Sequence, residues 1–506
     1  MRTKWLRVVA VSLVALFAAT VGSGGSARQA SVSLVPLFLE APGLADSPGG
    51  PEATGKACTT PAPVRVSTWV HCYRPQQITA AYGIDALHAA GTMGQGQTIV
   101  LLDSYGSPTA AHDLQFFHDT FYPSLPNPLF DQIYPNGTLT FNNTDHGNGN
   151  SGPAAAEGWA GEATLDIEWA YAIAPLAHIV LIAVPPAETL GEQGFPNLFK
   201  ALQDAVDTYP AGTIFSQSFG VAEETFGGAA TVQTASFDAV YKAAAAKGDT
   251  VLASSGDSGS SGAMKQARFS RTFDHPVASW PASSPWVTAV GGTQLQYGWT
   301  WAPSSDVPFT ATGFNPAYFN YTTGGNKEAV WNETWLPAAT GGGGSVIYPR
   351  PTWQPASVGN HRAIPDLSWN AAVNGGVLVY TSFFPATTRV GWHIYGGTSA
   401  SSPQVAGLVA LVNQLRAADG KAPVGHLAPK LYGIGNGAAF RDIVPVIEGT
   451  ALSGRLVDNT LWMYNADGSV SPGAVPGLPT TAGWDMTTGF GSPHGAAFAS
   501  ALRALP

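Results

Sequence analysis

The chain has 506 residues, of which 45% are hydrophobic and only 11% are charged, so it can bury a large core but carries few surface ion pairs. Its 33 acidic residues outnumber its 23 lysines and arginines, which gives a formal net charge of -10. This sign of charge, without any basic block, argues against a nucleic-acid-binding protein, and a lysine-poor surface tolerates acid because it gains little positive charge there.

The first 27 residues have the order of a secretory signal peptide. Arg2, Lys4 and Arg7 precede an apolar run that ends at Val21, and small residues follow up to Ala27. The run is shorter than the ~20 apolar residues that a membrane anchor needs. We therefore expect a signal peptide over 1–27, a secreted extracellular protein and no membrane association after cleavage, with a retained anchor as the alternative.

Residues 28–72 are rich in proline, glycine, serine and alanine and show little periodicity, which predicts an extended leader or linker. The two cysteines of the chain, Cys58 and Cys72, lie in this segment. In an oxidising compartment they can form one local disulfide, although two unrelated thiols remain the alternative.

Beyond residue 73, short apolar segments alternate with helical patterns, which predicts an α/β fold with a mainly parallel central sheet flanked by helices. Helical patterns cover 76–91, 109–121, 197–206 and 235–247. Strand candidates are a run ending at Asp103 and the segments 178–184, 213–219, 249–259, 286–292 and 376–382. The irregular segment 262–344 is predicted to form long surface loops.

In such a sheet the ligand lies at the carboxyl ends of the strands, where Asp103, Ser218 and Asp257 fall. Asp257 stands between glycines in SSGDSGS, residues 254–260. It is either an ordinary turn aspartate or a protonated carboxyl that donates a hydrogen bond to a developing oxyanion.

Two carboxylates are spaced one turn apart in the predicted helix WAGEATLDIEWAYAIAP, residues 159–175. Glu162 and Asp166 fall on one helix face with their Cβ atoms ~5–6 Å apart. Carboxylates this close can share a proton, which raises one pKa and suits a general acid or base in an acidic medium. The apolar neighbours disfavour the alternative, a solvated acidic face, and Glu168 points away from this pair.

A serine lies at the start of a predicted buried helix in GGTSASSPQVAGLVALVNQL, residues 396–415. Apolar residues recur at helical spacing after Ser399. Because a helix N-terminus carries unpaired N–H groups and a partial positive charge, a nucleophile there meets an anion-stabilising environment. The alternative is a serine that only caps the helix.

Together, GGTSASSP, the GE-x-x-x-D helix and SSGDSG resemble the sedolisins, which are serine-carboxyl peptidases with a subtilisin-like fold. The resemblance runs from about Tyr73 to the C-terminus and includes SFG at 218–220, SWPASSPWVTAVGGT at 279–293, EAVW at 328–331, GGGGS at 341–345 and RAIPDLS at 362–368. It implies a peptidase domain over 73–506. Because sedolisins commonly carry a long folded prosegment, the leader 28–72 is either vestigial or part of another route to folding and latency.

By this resemblance, Ser399 is the nucleophile that forms an acyl-enzyme, and Glu162 is the general base. Asp166 holds Glu162 and shares its proton, while protonated Asp257 donates to the oxyanion. These roles follow the logic of a catalytic triad with carboxyls in place of imidazole, so an acidic optimum is expected.

The resemblance also implies protein or peptide substrates, bound by added-strand pairing to Ser218, Phe219 and Gly220. We expect a monomer that acts as an endopeptidase or a tripeptidyl peptidase.

One calcium ion is implied near the C-terminus, where carboxylates and backbone carbonyls supply the hard oxygen ligands that calcium prefers. The expected ligands are Asp442, Ile443, Thr481, Gly483 and Asp485. Thr481 stands where the family usually has glycine, which a carbonyl ligand tolerates. The alternative is two ordinary turn aspartates.

Three other functions compete with this interpretation. A neutral subtilisin-like protease would use Asp103 with a histidine at a helix start, but the required HGTHVAG-like motif is missing, and DHGNGN, which begins at Asp145, is a Gly/Asn-rich loop with no helical run after it. A glycosidase would place its carboxyls on opposite sides of a sugar, ~5–9.5 Å apart, and not on one helix face. An inactive secreted binding protein on the same scaffold would have lost a catalytic residue, and all four are present.

Overall fold

The computed structural model describes residues 35–37, 39–40, 70–137, 153–185, 194–262, 272–305, 307–310, 313–383, 390–446, 456–464 and 470–506. The predicted signal peptide, Cys58 and the DHGNGN motif lie outside the described residues. Cys72 is disulfide-bonded. Across the described ranges, no helix combines the length and apolar character needed to cross a membrane.

The helices and strands alternate along much of the chain. The helices are α1 (Pro75–Ala81), α2 (Asp85–Ala89), α3 (Ala110–Phe121), α4 (Pro153–Ile173), α5 (Phe195–Thr208), α6 (Ala230–Lys247), α7 (Thr398–Ala418), α8 (Ala428–Ile434) and α9 (Gly495–Ala504). The strands are β1 (Val35–Pro36), β2 (Leu39–Glu40), β3 (Cys72–Tyr73), β4 (Thr98–Ser104), β5 (Leu129–Ile133), β6 (His178–Val184), β7 (Ile214–Gln217), β8 (Phe219–Ala222), β9 (Thr250–Ser254), β10 (Ser279–Trp280), β11 (Thr288–Trp301), β12 (Phe309–Thr310), β13 (Gly313–Phe314), β14 (Tyr321–Val330), β15 (Asn332–Glu333), β16 (Ala338–Ala339), β17 (Gly343–Pro349), β18 (His361–Ile364), β19 (Leu367–Asn370), β20 (Gly376–Thr381), β21 (Gly391–Gly396), β22 (Phe440–Arg441), β23 (Trp462–Tyr464), β24 (Val470–Pro472) and β25 (Ser492–Pro493).

An eight-stranded sheet forms the centre of the fold, in the order β14-β11-β9-β7-β4-β6-β5, with β19 also paired to β11. The pairs are parallel except for β14 with β11. In β4, Ile99 and Leu101 face one hydrophobic core, while Val100 and Leu102 face a second core on the other side of the sheet. Helices therefore cover both faces, and the predicted α/β fold with a mainly parallel sheet is confirmed.

The predicted single helix over 76–91 is wrong, because the chain forms two short helices there. Gly83 lies between α1 and α2 with φ +66°, a left-handed conformation that ends a helix and that glycine adopts at little cost. A side chain at this position would also crowd His494, since a Cβ atom on Gly83 would lie 3.1 Å from its Cε1.

The prediction of long loops over 262–344 is wrong for a substantial part of that segment. Strand β11 continues to Trp301 and pairs antiparallel with β14, from Thr293 opposite Val330 to Trp301 opposite Tyr321. Strand β14 lies at the sheet edge and is largely exposed, so it contains glycines and polar residues and shows no continuous apolar run. For this reason the sequence pattern did not predict it.

The segment 376–382 forms a strand as predicted, but outside the central sheet. It is β20 of a four-stranded sheet in the order β2-β21-β20-β3. This second sheet leads directly into α7, because β21 ends at Gly396 and α7 begins at Thr398. It therefore helps to position the N-terminus of the helix that carries Ser399.

Candidate active site

Ser399 lies in the first turn of α7 and is fully buried. Gly397, the residue before α7, has φ 101°, which favours glycine and turns the chain sharply from β21 into the helix. The Ser399 hydroxyl donates a hydrogen bond to the carbonyl oxygen of Ser218 at 3.2 Å. The predicted nucleophile thus meets the carboxyl end of β7, as expected for a ligand site in a parallel sheet.

Helix α4, which packs against α7, carries the carboxyl pair. Glu162 and Asp166 are both fully buried, so neither lies on a solvated acidic face. Close packing of α4 against α7 depends on Gly407, because a Cβ atom there would lie 2.6 Å from the Cβ of Ile173. The small residue lets the two helices that carry the predicted base and nucleophile approach each other.

Ser218 connects Asp166 to Ser399. Its hydroxyl donates to Oδ1 of Asp166 at 2.8 Å, while its carbonyl oxygen accepts the hydrogen bond from the Ser399 hydroxyl. A buried hydrogen-bond path therefore runs from the acid on α4, through the end of β7, to the serine at the start of α7. The substrate-binding role predicted for Ser218 stays a prediction, but its position beside the serine agrees with it.

A third buried carboxyl, Asp103, belongs to this site. Asp103 is fully buried near the end of β4, and burial raises its pKa from 3.8 to about 8. Burial also raises the pKa of Asp166 well above its usual range, and the charge of Asp103 raises it further, against a smaller lowering by the Ser218 hydroxyl. From the sequence, Asp103 was placed at the carboxyl end of a strand and assigned a catalytic role only in the alternative histidine-based triad, so its position beside Asp166 was not predicted.

Asp257 is attached to the start of α7. Its Oδ1 accepts hydrogen bonds from the backbone N–H of Thr398 at 2.9 Å and from the Thr398 hydroxyl at 2.8 Å. The same hydroxyl accepts a bond from the N–H of Gly256 at 3.1 Å. The aspartate is therefore fixed beside Ser399 and is not an isolated turn residue. Thr398 was missed by the sequence analysis, although it stands directly before the predicted nucleophile.

The remaining predicted substrate residues, Phe219 and Gly220, begin β8 next to Ser218. Strand β1 of the leader pairs antiparallel with β8, with Val35 opposite Gly220 and Pro36 opposite Phe219. The predicted cleft thus holds an added strand, as expected for a surface that binds extended peptides.

Comparison with known proteins identifies the family. A model of the subtilase family matches residues 117–426, which is more than half of the chain. The chain belongs to the subtilase family. Within it, the chain is a sedolisin, as its motifs predicted.

The relatives of this sedolisin support that placement. It is 31% identical to kumamolisin from Bacillus sp. (strain MN-32) over 440 residues, which cover 85% of this chain and 63% of kumamolisin. It is 29% identical to human (Homo sapiens) tripeptidyl-peptidase 1 over 281 residues, which cover 52% of this chain and 38% of that protein. This sedolisin thus spans less than two thirds of the length of these curated relatives.

A solved structure shows the same fold. The structure described as Pseudomonas sedolisin (serine-carboxyl proteinase) in complex with two molecules of pseudo-iodotyrostatin superposes with a TM-score of 0.57 at 24% sequence identity. The match covers 86% of this chain and 99% of that one.

The predicted calcium region of this sedolisin brings two segments together. Oδ2 of Asp442 accepts a hydrogen bond from the N–H of Gly483 at 2.9 Å, and Oδ2 of Asp485 accepts one from the N–H of Thr481 at 2.8 Å. Within the described ranges, no three His, Cys, Asp or Glu side chains are grouped to hold a metal. An ion here would therefore need backbone carbonyls, such as that of buried Ile443, beside the two carboxylates, and this oxygen donor set suits calcium.

The buried acid at Asp103 predicts that the protein is more stable in acid than at neutral pH. Its folded-state pKa is raised, so its contribution to stability is complete below about pH 4 and is lost as the pH rises towards about 8. One such proton changes the free energy of unfolding by at most about 1.4 kcal/mol per pH unit. Asp103→Asn should therefore raise the melting temperature at pH 8 much more than at pH 4.

Thermal unfolding of both proteins across this pH range measures the effect. Asp207→Asn, on an exposed residue of α5, is the matched control and should leave the pH dependence unchanged. The same pH dependence in the Asp103→Asn protein as in the unmodified protein would contradict the prediction.

Proposed function

We propose that this sedolisin is a secreted peptidase that hydrolyses peptide bonds of protein or peptide substrates in an acidic medium. The observation that carries the proposal is the buried path from Asp166 through Ser218 to Ser399. This path joins α4, the helix that carries Glu162 and Asp166, to a serine at the N-terminus of α7. Nucleophile, acid–base group and anion-stabilising environment are the three parts that acyl transfer requires.

In the proposed reaction, the Ser399 hydroxyl attacks the peptide carbonyl and Glu162 takes its proton. Glu162 then gives that proton to the departing amine, which leaves an acyl-enzyme on Ser399. Water repeats the sequence, releases the carboxylic acid product and restores the serine. Asp166 orients Glu162 and shares its proton, and Asp103 keeps Asp166 protonated because two adjacent buried acids do not both ionise.

The oxyanion would be stabilised by the backbone N–H of Ser399 and by Asp257. Since Oδ1 of Asp257 accepts two hydrogen bonds from Thr398, a proton on this carboxyl belongs on Oδ2, from which it can be donated. A protonated aspartate donates only below its pKa, and this is a second reason to expect activity in acid.

Two alternative functions remain to be distinguished. A neutral subtilisin-like protease would need a histidine base, whereas the helix facing Ser399 carries Glu162 and Asp166. An inactive binding protein would bind peptides along β8 without cleaving them.

Digestion of a denatured protein at about pH 4, followed by mass spectrometry of the products, tests the proposal. We expect new peptide termini that accumulate with time. Peptide binding without new termini would favour the inactive binding protein.

We also propose that one calcium ion binds Asp442 and Asp485 together with the carbonyls of Ile443, Thr481 and Gly483. The ion would join the C-terminal segments and add its binding free energy to the stability of the folded state. A chelator should lower the melting temperature by several degrees, and added calcium should restore it.

Asp442→Asn weakens the proposed site, so this variant should respond little to the chelator. Equal melting temperatures with and without chelator, together with metal analysis that finds no calcium, would contradict the site.

A further inference from the structure

Strand β21 carries an added strand next to the proposed nucleophile. The short strand β2 pairs antiparallel with it, with Leu39 opposite Gly396 and Glu40 opposite Tyr395. Because β21 leads directly into α7, an extended chain that pairs here lies beside the start of the helix that carries the nucleophile. The pairing therefore shows which side chains of β21 an extended peptide would meet on this side of the site.

The backbone contacts of Leu37 relate this pairing to the proposed reaction. Its N–H donates to the carbonyl oxygen of Ser218 at 3.2 Å, and its carbonyl oxygen accepts the N–H of Ser399 at 3.0 Å. A substrate carbonyl under attack would accept the same N–H, and 3.0 Å lies within the range for such donors. Counted along the sequence, Glu40 is the third residue after this carbonyl. Its place is therefore that of the third substrate residue after the cleaved bond.

A histidine of β21 contacts the carboxylate at this place. Nδ1 of His393 lies 2.7 Å from Oε1 of Glu40. Since Glu40 lies opposite Tyr395, His393 is its diagonal neighbour on the same face of the strand pair. An ionised carboxylate has no proton to give, so the imidazole N–H donates. Only 12% of the His393 side chain and 24% of the Glu40 side chain are exposed, which makes this bond stronger than one between fully solvated groups.

The position of the imidazole is set by the peptidase domain. His393 lies opposite Val379 of β20, which is fully buried, and its ring centroid is 6.0 Å from that of Tyr395 on its own strand. Both neighbours lie outside the added strand. The imidazole is therefore held in place for any extended peptide that pairs with β21.

We propose that His393 makes this sedolisin prefer substrates with an acidic side chain at the third residue after the cleaved bond. Backbone pairing with β8 and β21 accepts many sequences, whereas a donor that faces one side chain distinguishes carboxylates from other groups. The inference rests on the proposed function. It adds a specificity-determining residue and a substrate class, namely peptides that carry glutamate at this position.

The test compares three peptides that differ only at the third residue after the cleaved bond, which is glutamate, glutamine or lysine. The bond is located by mass spectrometry, and kcat/KM is measured at about pH 5, where a free glutamate side chain is mostly ionised. We expect kcat/KM for the glutamate peptide to exceed that for the glutamine peptide by about fivefold and that for the lysine peptide by about tenfold or more. Glutamate moved to the second residue should give no such preference, because successive side chains of a strand point to opposite faces.

His393→Gln examines the donor itself. This variant should reduce the preference for glutamate over glutamine to within about twofold, while kcat/KM for the glutamine peptide stays nearly the same. The matched control is His361→Gln, on an exposed residue of β18, which should keep the full preference.

The outcomes separate this inference from the proposed function. Equal hydrolysis of the three peptides by the unmodified protein would overturn the inference and leave the peptidase assignment intact. A preference for glutamate that His393→Gln retains, or an equal loss on all three peptides in that variant, would also overturn it. Hydrolysis of none of the peptides would overturn both.

Discussion

Alanine in place of Ser399 should abolish peptide hydrolysis, with a loss of kcat of about 10³-fold or more, towards the ~10⁶-fold typical of a removed serine nucleophile. The hydroxyl that forms the acyl-enzyme is lost, while the buried path from Asp166 to Ser218 does not depend on it. The measurement is kcat on a defined peptide in acid, with the melting temperature as a check on folding.

Ser401→Ala is the matched control, because Ser401 lies in the same part of α7 and is also fully buried. Its hydroxyl donates to the carbonyl oxygen of Trp369 at 3.1 Å, away from the proposed reaction. This variant should keep most of the activity. Full activity in Ser399→Ala would show that the serine is not the nucleophile.

Glutamine in place of Glu162 should reduce kcat by about 10²–10⁴-fold, the usual contribution of a general base. The amide preserves the shape of the side chain but cannot take the serine proton. Because the change removes chemistry and not a binding contact, KM should change far less than kcat.

Glu168→Gln is the matched control on the same helix. Glu168 is also fully buried, and burial raises its pKa well above the usual range, but its Oε2 accepts the N–H of Tyr380 on β20 at 3.0 Å. An amide oxygen can accept the same bond, so activity should persist. If Glu162→Gln were as active as Glu168→Gln, the base would have to be sought elsewhere.

The candidate residues of the site could be identified from local sequence because each lies in a short motif, and their catalytic roles stay predictions. Glu162 and Asp166 share a helix face by their spacing alone, and Ser399 begins a helix after glycines. The strands β4, β6 and β9 were found because they are apolar and buried on both faces. Secretion, the acidic optimum and the calcium ion stay predictions.

The contacts between distant segments could not be predicted. No local pattern indicates that Asp103 raises the pKa of Asp166, since the two residues belong to different elements. The position of the leader could not be predicted from its own sequence, because its strands β1 and β2 pair with β8 and β21, far along the chain. Strand β14 was missed because it is exposed and polar over much of its length.

The pH dependence of kcat/KM on a defined peptide tests the central claim most directly. A carboxyl-based serine peptidase should show its highest kcat/KM in acid and lose activity as the pH rises to neutral. An activity that instead rises through about pH 6.5, where histidine titrates, would contradict the claim and identify an imidazole base.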